Sequence, residues 1–118
     1  MKLALNGAIT IGTLDGANIE IRDNVGAENI AIFGMEAMEV VARRQQGLDA
    51  ADIIQRSPRL ARAIDAIGSG AFAPDDPSRF EPIAHALRHL DHYMVSADFD
   101  SYYGAQRGID ARWQVVPA

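Results

Sequence analysis

An α/β fold, a short piece of parallel sheet with helices around it, is what this sequence predicts, on three observations. Residues 8–13 (Ala-Ile-Thr-Ile-Gly-Thr) are β-rich and uncharged, the composition of a strand buried on both faces. Residues 30–33 (Ile-Ala-Ile-Phe) form a second run of the same kind. The stretch between them carries helix start and stop signals, and strand, helix, strand in so short a span is the pattern of a right-handed parallel unit.

The elements follow in order. Asp15 is placed to cap a helix over about residues 17–25, and Gly26 to end it. Residues 35–46 form a helix with Met38, Val41 and Ala42 on one side. Asp49 caps a short helix that stops before Pro58. Ser57-Pro58 then supplies a cap and a first-turn proline for a helix holding Leu60, Ile64 and Ile67. Residues 68–70 and 73–76 make the main loop, and Asp76-Pro77 opens a helix with Phe80, Ile83, Ala84, Leu87 and Leu90 on one stripe. Residues 93–96 are expected to be extended. Asp98 caps a last helix to about Trp113, weakened by Gly104 and Gly108. There is no internal repeat, and the one linker candidate, residues 68–76, is too short to divide domains. Residues 1–118 are expected to be a single partial domain.

Composition narrows the function classes. The chain has 118 residues, 48% hydrophobic and 23% charged, ordinary values for a globular protein. A net charge of −5 argues against nucleic acid as a partner, because phosphate backbones attract basic surfaces. With no cysteine there is neither a disulfide framework nor a thiolate metal site. No apolar run approaches the roughly 18 residues of a membrane span. Asn6, Gly7 and Thr10 interrupt any signal-peptide apolar region, so a cytoplasmic location is expected.

The most specific signal is the opening. Met1-Lys2-Leu3-Ala4-Leu5-Asn6-Gly7 runs into Ala8-Ile9-Thr10-Ile11-Gly12-Thr13-Leu14-Asp15-Gly16-Ala17-Asn18-Ile19-Glu20 and closes on Asn29-Ile30-Ala31-Ile32-Phe33-Gly34. It closely resembles a segment of the C-terminal domain of the glycogen, starch and maltodextrin phosphorylases. That family's signature reads Glu-Ala-Ser/Cys-Gly-x-Gly/Ser-x-Met-Lys-x-x-Leu/Met-Asn. Its second half is present here as Met1, Lys2, Leu5 and Asn6. A weaker resemblance extends to about Trp113, through Ser-Gly-Ala-Phe-Ala-Pro (69–74) and Ala-Asp-Phe-Asp-Ser-Tyr (97–102).

The resemblance implies a Rossmann-like sheet from the C-terminal domain of a two-domain, GT-B type glycosyltransferase. It implies that Lys2 is the cofactor-binding residue, holding pyridoxal phosphate covalently through its amine. A lysine in that role needs burial or a nearby cation to lose its proton. The implied reaction is phosphorolysis of α-1,4-glucans by orthophosphate to give glucose 1-phosphate. The cofactor's phosphate, not its ring, moves the proton there, so Lys2 is an anchor and no catalytic residue is assigned. The missing half of the signature is the glycine-rich turn that binds phosphate at a helix start. This chain is therefore expected to be a truncated fragment, inactive alone and unable to retain the cofactor. The alternative is a non-catalytic α/β interaction module, or a gene remnant, that forms a homo-oligomer through its exposed sheet.

Other constellations have plainer explanations. Gly12-Thr13-Leu14-Asp15-Gly16 lacks both Gly-x-Gly-x-x-Gly and a Walker lysine, and is expected to be a tight strand-to-helix turn. His85, His89 and His92 have the spacing of helical metal ligands, but His85 and His89 lie opposite the apolar stripe and His92 beyond the helix end, so no metal site is assigned. Asp15, Asp75, Asp76, Asp98 and Asp100 invite a paired-acid glycosidase reading, yet each falls at an expected cap or turn. Trp113 with Tyr102 and Tyr103 offers a sugar platform that packing on one helix would explain equally well.

Overall fold

The computed structural model describes residues 1–47 and 49–114. The order of elements is α1 (Lys2–Leu5), β1 (Thr10–Gly12), α2 (Ala17–Val25), a single 3-10 turn at Ala27–Asn29, β2 (Ile30–Ile32), α3 (Ala37–Gln46), α4 (Ala50–Arg56), α5 (Pro58–Gly68), α6 (Glu81–His89) and α7 (Val95–Trp113). The fold is a helix-rich α/β fold with a small two-stranded parallel sheet. It divides into two compact units, Met1–Ala42 with Ser101–Ala118, and Arg43–Asp100.

The first unit holds the sheet. β1 and β2 pair in parallel, with Thr10 opposite Ile30, Ile11 opposite Ala31 and Gly12 opposite Ile32. One further backbone bond, Phe33 N–H to Gly12 C=O at 3.1 Å, extends the ladder past the last pair. The expected strands at 8–13 and 30–33 are present but shorter. α2 makes the crossover, as the sequence implies. Its N-cap is Gly16, with φ +48°, not Asp15. The Asp15 carboxylate instead accepts a hydrogen bond from Thr13 Oγ1 at 3.1 Å, so it closes the loop one step earlier. The later part of α7 joins this unit through Ser101 Oγ, which accepts from Gly34 N–H at 3.0 Å, and through Tyr102, whose ring meets Phe33 edge-on at 5.2 Å. Ile30 is the one buried large apolar residue among those described in this unit. The side of α3 expected to hold Met38, Val41 and Ala42 is not buried: Met38 is 78% and Val41 47% exposed. Nothing described in the first unit covers that face.

The second unit has a true core. Ile54, Leu60, Ile64 and Ala84 pack together, with Ala61, Ile67, Leu87 and Phe99 around them. α4 and α5 begin where the sequence implies. The Asp49 carboxylate accepts from Ala51 N–H at 3.0 Å, and Ser57 Oγ accepts from Leu60 N–H with Pro58 in the first turn. α6 departs from expectation. It starts at Glu81 rather than Pro77, and Ile83 and Leu90 are 51% and 73% exposed while Ala84 is wholly buried. The reason is a close approach to α5. A Cβ added to Gly68 would lie 3.2 Å from Ala84 Cβ, so small residues set the seam and the larger ones beside it turn outward. Asp65 and Arg88 tie the same two helices by an ion pair at 2.7 Å.

Residues 93–96 are not extended. A turn brings Asp91 and Met94 to positive φ (33° and 55°), and α7 starts at Val95. Its cap is Asp91, whose two carboxylate oxygens accept from Val95 N–H and Ser96 N–H, both at 3.0 Å. Asp98, expected to cap, lies within the first turn. Gly104 and Gly108 sit inside α7 without breaking it.

Candidate functional site

Lys2 is the single lysine in the chain; every other cationic side chain apart from histidine is arginine. It opens α1, a one-turn helix, and faces solvent. One turn of helix is not stable by itself, because nucleation costs more than one hydrogen bond returns. Here the end of the turn is closed by a dense set of bonds. Gly7 takes φ +86°, which a side chain would resist. From there Gly7 N–H reaches the carbonyl of Ala4 at 3.1 Å and Ala8 N–H reaches that of Leu3 at 3.0 Å. These are the two bonds of a Schellman closure. The side chain of Asn6 adds a third, its Nδ2 donating to the carbonyl of Lys2 at 2.7 Å. The chain then passes through Ala8 and Ile9 directly into β1.

Lys2 offers an exposed amine to a carbonyl-bearing group, and it is the single lysine, but it lacks the burial expected of a cofactor anchor. The described residues build no enclosure for such a group. Leu3 and Leu5, on the same turn, are also exposed.

The remaining candidates disperse. In the loop from Gly12 to Gly16 the polar groups are used internally. Asp15 N–H donates to Thr13 C=O at 2.9 Å, Asn18 Nδ2 to the same carbonyl at 2.9 Å, and Asn18 N–H to Asp15 C=O at 3.0 Å. This is a self-satisfied strand-to-helix turn. The rings of His85 and His89 lie tilted at 47° with centroids 4.5 Å apart on the exposed side of α6, and His92 packs edge-on to Tyr93 at 4.8 Å. Among the described residues no three metal-ligating side chains converge. The carboxylates do not pair either. Asp75 and Asp76 both meet Arg79, and Asp100 accepts from Ser57 Oγ at 2.9 Å. Tyr102 is turned onto Phe33, and Trp113 is 71% exposed.

Two features lay outside the reach of the sequence reading. One is a groove in the first unit, walled by Ile30, Ile32 and Ile109 with Arg22 and Arg112 at its rim; Arg112 Nη1 donates to Glu28 C=O at 3.3 Å. The other is a cavity of about 150 Å³ in the second unit beside Ile53, Leu90 and Met94, roofed by Arg44, whose Nη2 donates to His92 C=O at 2.6 Å. Small residues such as Ala105, Gly108 and Gly47 leave these spaces, and no periodicity in the sequence announces them. No helix among the described residues is long and apolar enough to cross a membrane.

A family model described as carbohydrate phosphorylase matches residues 1–116. The glycogen phosphorylase of Pasteurella multocida (strain Pm70) is 46% identical over 114 residues, 97% of this chain and 14% of the relative. That of Haemophilus influenzae is 42% identical over the same shares. The brain form of glycogen phosphorylase from Rattus norvegicus is 44% identical over 110 residues, 93% of this chain and 13% of the relative. The chain thus spans about one seventh of the length of each.

Proposed function

This chain belongs to the carbohydrate phosphorylase family, and we propose that it is the portion of an α-glucan phosphorylase that carries the cofactor-anchoring lysine. The observation that carries the reading is Lys2 on a closed helical turn that leads without a linker into a parallel strand-helix-strand unit. In the whole protein the reaction is transfer of a terminal glucosyl unit from an α-1,4-glucan to orthophosphate, releasing glucose 1-phosphate. Pyridoxal phosphate, when bound, supplies a phosphate group that gives and takes the proton. Lys2 holds that group through its amine. The sheet is the later part of a Rossmann-like domain in a two-domain, GT-B type glycosyltransferase, and residues 1–118 are one partial domain of it. The cytoplasm, where orthophosphate and sugar phosphates are exchanged, is its compartment.

The 118-residue polypeptide alone is proposed to be inactive. Catalysis requires charges held around the reacting groups, and an exposed anchor supplies none. The test is orthophosphate-dependent release of glucose 1-phosphate from maltodextrin with added pyridoxal phosphate, run on this chain and on the complete protein that contains it. The complete protein should be active and should lose activity on Lys2→Ala. A complete protein whose activity is indifferent to Lys2 would overturn the assignment.

One observation favours a second reading, a non-catalytic module that self-associates. β1 pairs on one side only among the described residues, and Leu3, Leu5 and Ile9 beside it are exposed. The reading frame decides between the two. The glycine-rich half of the signature in frame upstream makes this an enzyme segment; a stop codon and ribosome-binding site before Met1 make it a module.

A further inference from the structure

We propose that Asn6 is a positioning residue for Lys2: its side-chain amide, donating to the Lys2 carbonyl at 2.7 Å, locks the backbone from which the anchoring amine projects. The proposal rests on the reading of Lys2 as the cofactor's attachment point.

The argument starts from geometry. A lysine side chain has four rotatable bonds, and its amine is placed only as well as its own Cα is placed. Lys2 lies in a four-residue helix, which its own backbone bonds hold weakly. Its carbonyl is one of the acceptors that a helix this short leaves without a backbone partner near its end. Asn6 lies four residues on, over the same helix face, so its amide reaches that carbonyl without strain. Gly7 makes this possible. At φ +86° it reverses the chain, sending Ala8 N–H back to Leu3 and the strand away from the turn. The Lys2 carbonyl, the Asn6 side chain and the Gly7 reversal act as one clasp. On the other side, Ala8 and Ile9 couple the clasp to β1, whose pairing with β2 anchors it to the sheet. The backbone of Lys2 is thus tied toward the sheet through Asn6, Gly7 and Ala8.

The asparagine is suited to this by chemistry. Aspartate at the same place would accept rather than donate, and two acceptors would repel. Alanine would leave the Lys2 carbonyl to water. Serine retains a donor that reaches back to the carbonyl four residues earlier.

Backbone ¹⁵N relaxation on the 118-residue chain tests the clasp without any cofactor. Order parameters at Lys2–Leu5 are expected near the rigid value of about 0.85 in the native chain. In Asn6→Ala and Gly7→Ala they should fall below about 0.6, with Asn6→Ser restoring most of the order, while β1 and β2 amide shifts stay in place. Equal order in Asn6→Ala and the native chain would overturn the proposal. Pyridoxal phosphate is then the probe in the complete protein. Asn6→Ala should release it several-fold faster into a trapping buffer, with Asn6→Ser close to native. Unchanged release despite a disordered turn would also overturn it. If borohydride fixes no pyridoxal phosphate on Lys2 in the complete protein, the attachment reading fails by itself. The relaxation data then decide whether Asn6 still holds Lys2.

Discussion

Ser57 and Asp100 are 43 residues apart in sequence and joined by one hydrogen bond, Ser57 Oγ donating to Asp100 Oδ1 at 2.9 Å. The same hydroxyl oxygen accepts from Leu60 N–H, so a single buried side chain caps α5 and pins the first part of α7 beside it. Phe99, the residue before Asp100, packs against the Ile54–Leu60–Ile64–Ala84 core. The polar bond and the apolar contact therefore fasten the same turn.

Ser57→Ala should lower stability by about 1–2 kcal/mol, the cost of a lost helix cap with a second bond removed. Asp100→Asn, on an exposed side chain that can still accept, should cost less. Urea unfolding followed by circular dichroism measures both. A Ser57→Ala midpoint equal to the native one would mean that neither bond contributes.

Gly70 and Gly104 make an opposed pair. Gly70 has φ +84°, and a Cβ there would run into the backbone of Pro77. Gly70→Ala should cost roughly 2–4 kcal/mol from the unfavourable backbone and the forced shift together. Gly104 lies within α7 with open space around its Cα, so Gly104→Ala should stabilise by about 0.5–1 kcal/mol. Thermal melts of the two variants should move in opposite directions, and a shift of the same sign in both would refute the placement of these two glycines.

Neither glucose 1-phosphate release nor stable cofactor retention is expected of the isolated 118-residue chain. Lys2 is exposed and the described residues enclose nothing around it. After incubation with pyridoxal phosphate and desalting, the visible absorbance should return to baseline. Because Lys2 is the single lysine, peptide mapping after borohydride treatment assigns any adduct cleanly. A stoichiometric adduct on Lys2 would show that these residues do form a pocket.

Self-association is the last expectation. β1 has no charge or proline to protect its open edge, and such an edge is a template for another strand. Burying about 400 Å² of apolar surface at about 25 cal/mol per Å² contributes roughly 10 kcal/mol before the entropic costs of association. Light scattering coupled to size exclusion at micromolar concentration should give a mass above that of one chain, and Ile9→Lys should reduce it. A monomer that persists on tenfold concentration would contradict this.

Local chemistry alone determined much of this protein. Two uncharged β-branched runs with a capped helix between them specify a parallel unit, because only a crossover returns the chain in the same direction. Asp49 and Ser57-Pro58 mark helix starts by bonds made within three residues, so no distant partner had to be known. Lys2 and Asn6 were visible as a motif, although the bond between them was not. The tertiary structure decided the rest. Periodicity offered Phe80, Ile83, Ala84, Leu87 and Leu90 as one stripe of α6, but α5 presented Gly68, and the close approach buried Ala84 and turned Ile83 and Leu90 outward. Asp98 had the look of a cap, yet Asp91 captured the start of α7 once the positive-φ turn brought its carboxylate over the free amides. Gly104 and Gly108 were expected to weaken α7, and it continues through both because Ser101, Tyr102 and Arg112 are held by Gly34, Phe33 and Glu28. A helix's own residues set its period and its caps; which face is buried, and whether a weak stretch survives, depends on the surface it meets, and that surface comes from residues far away in the chain.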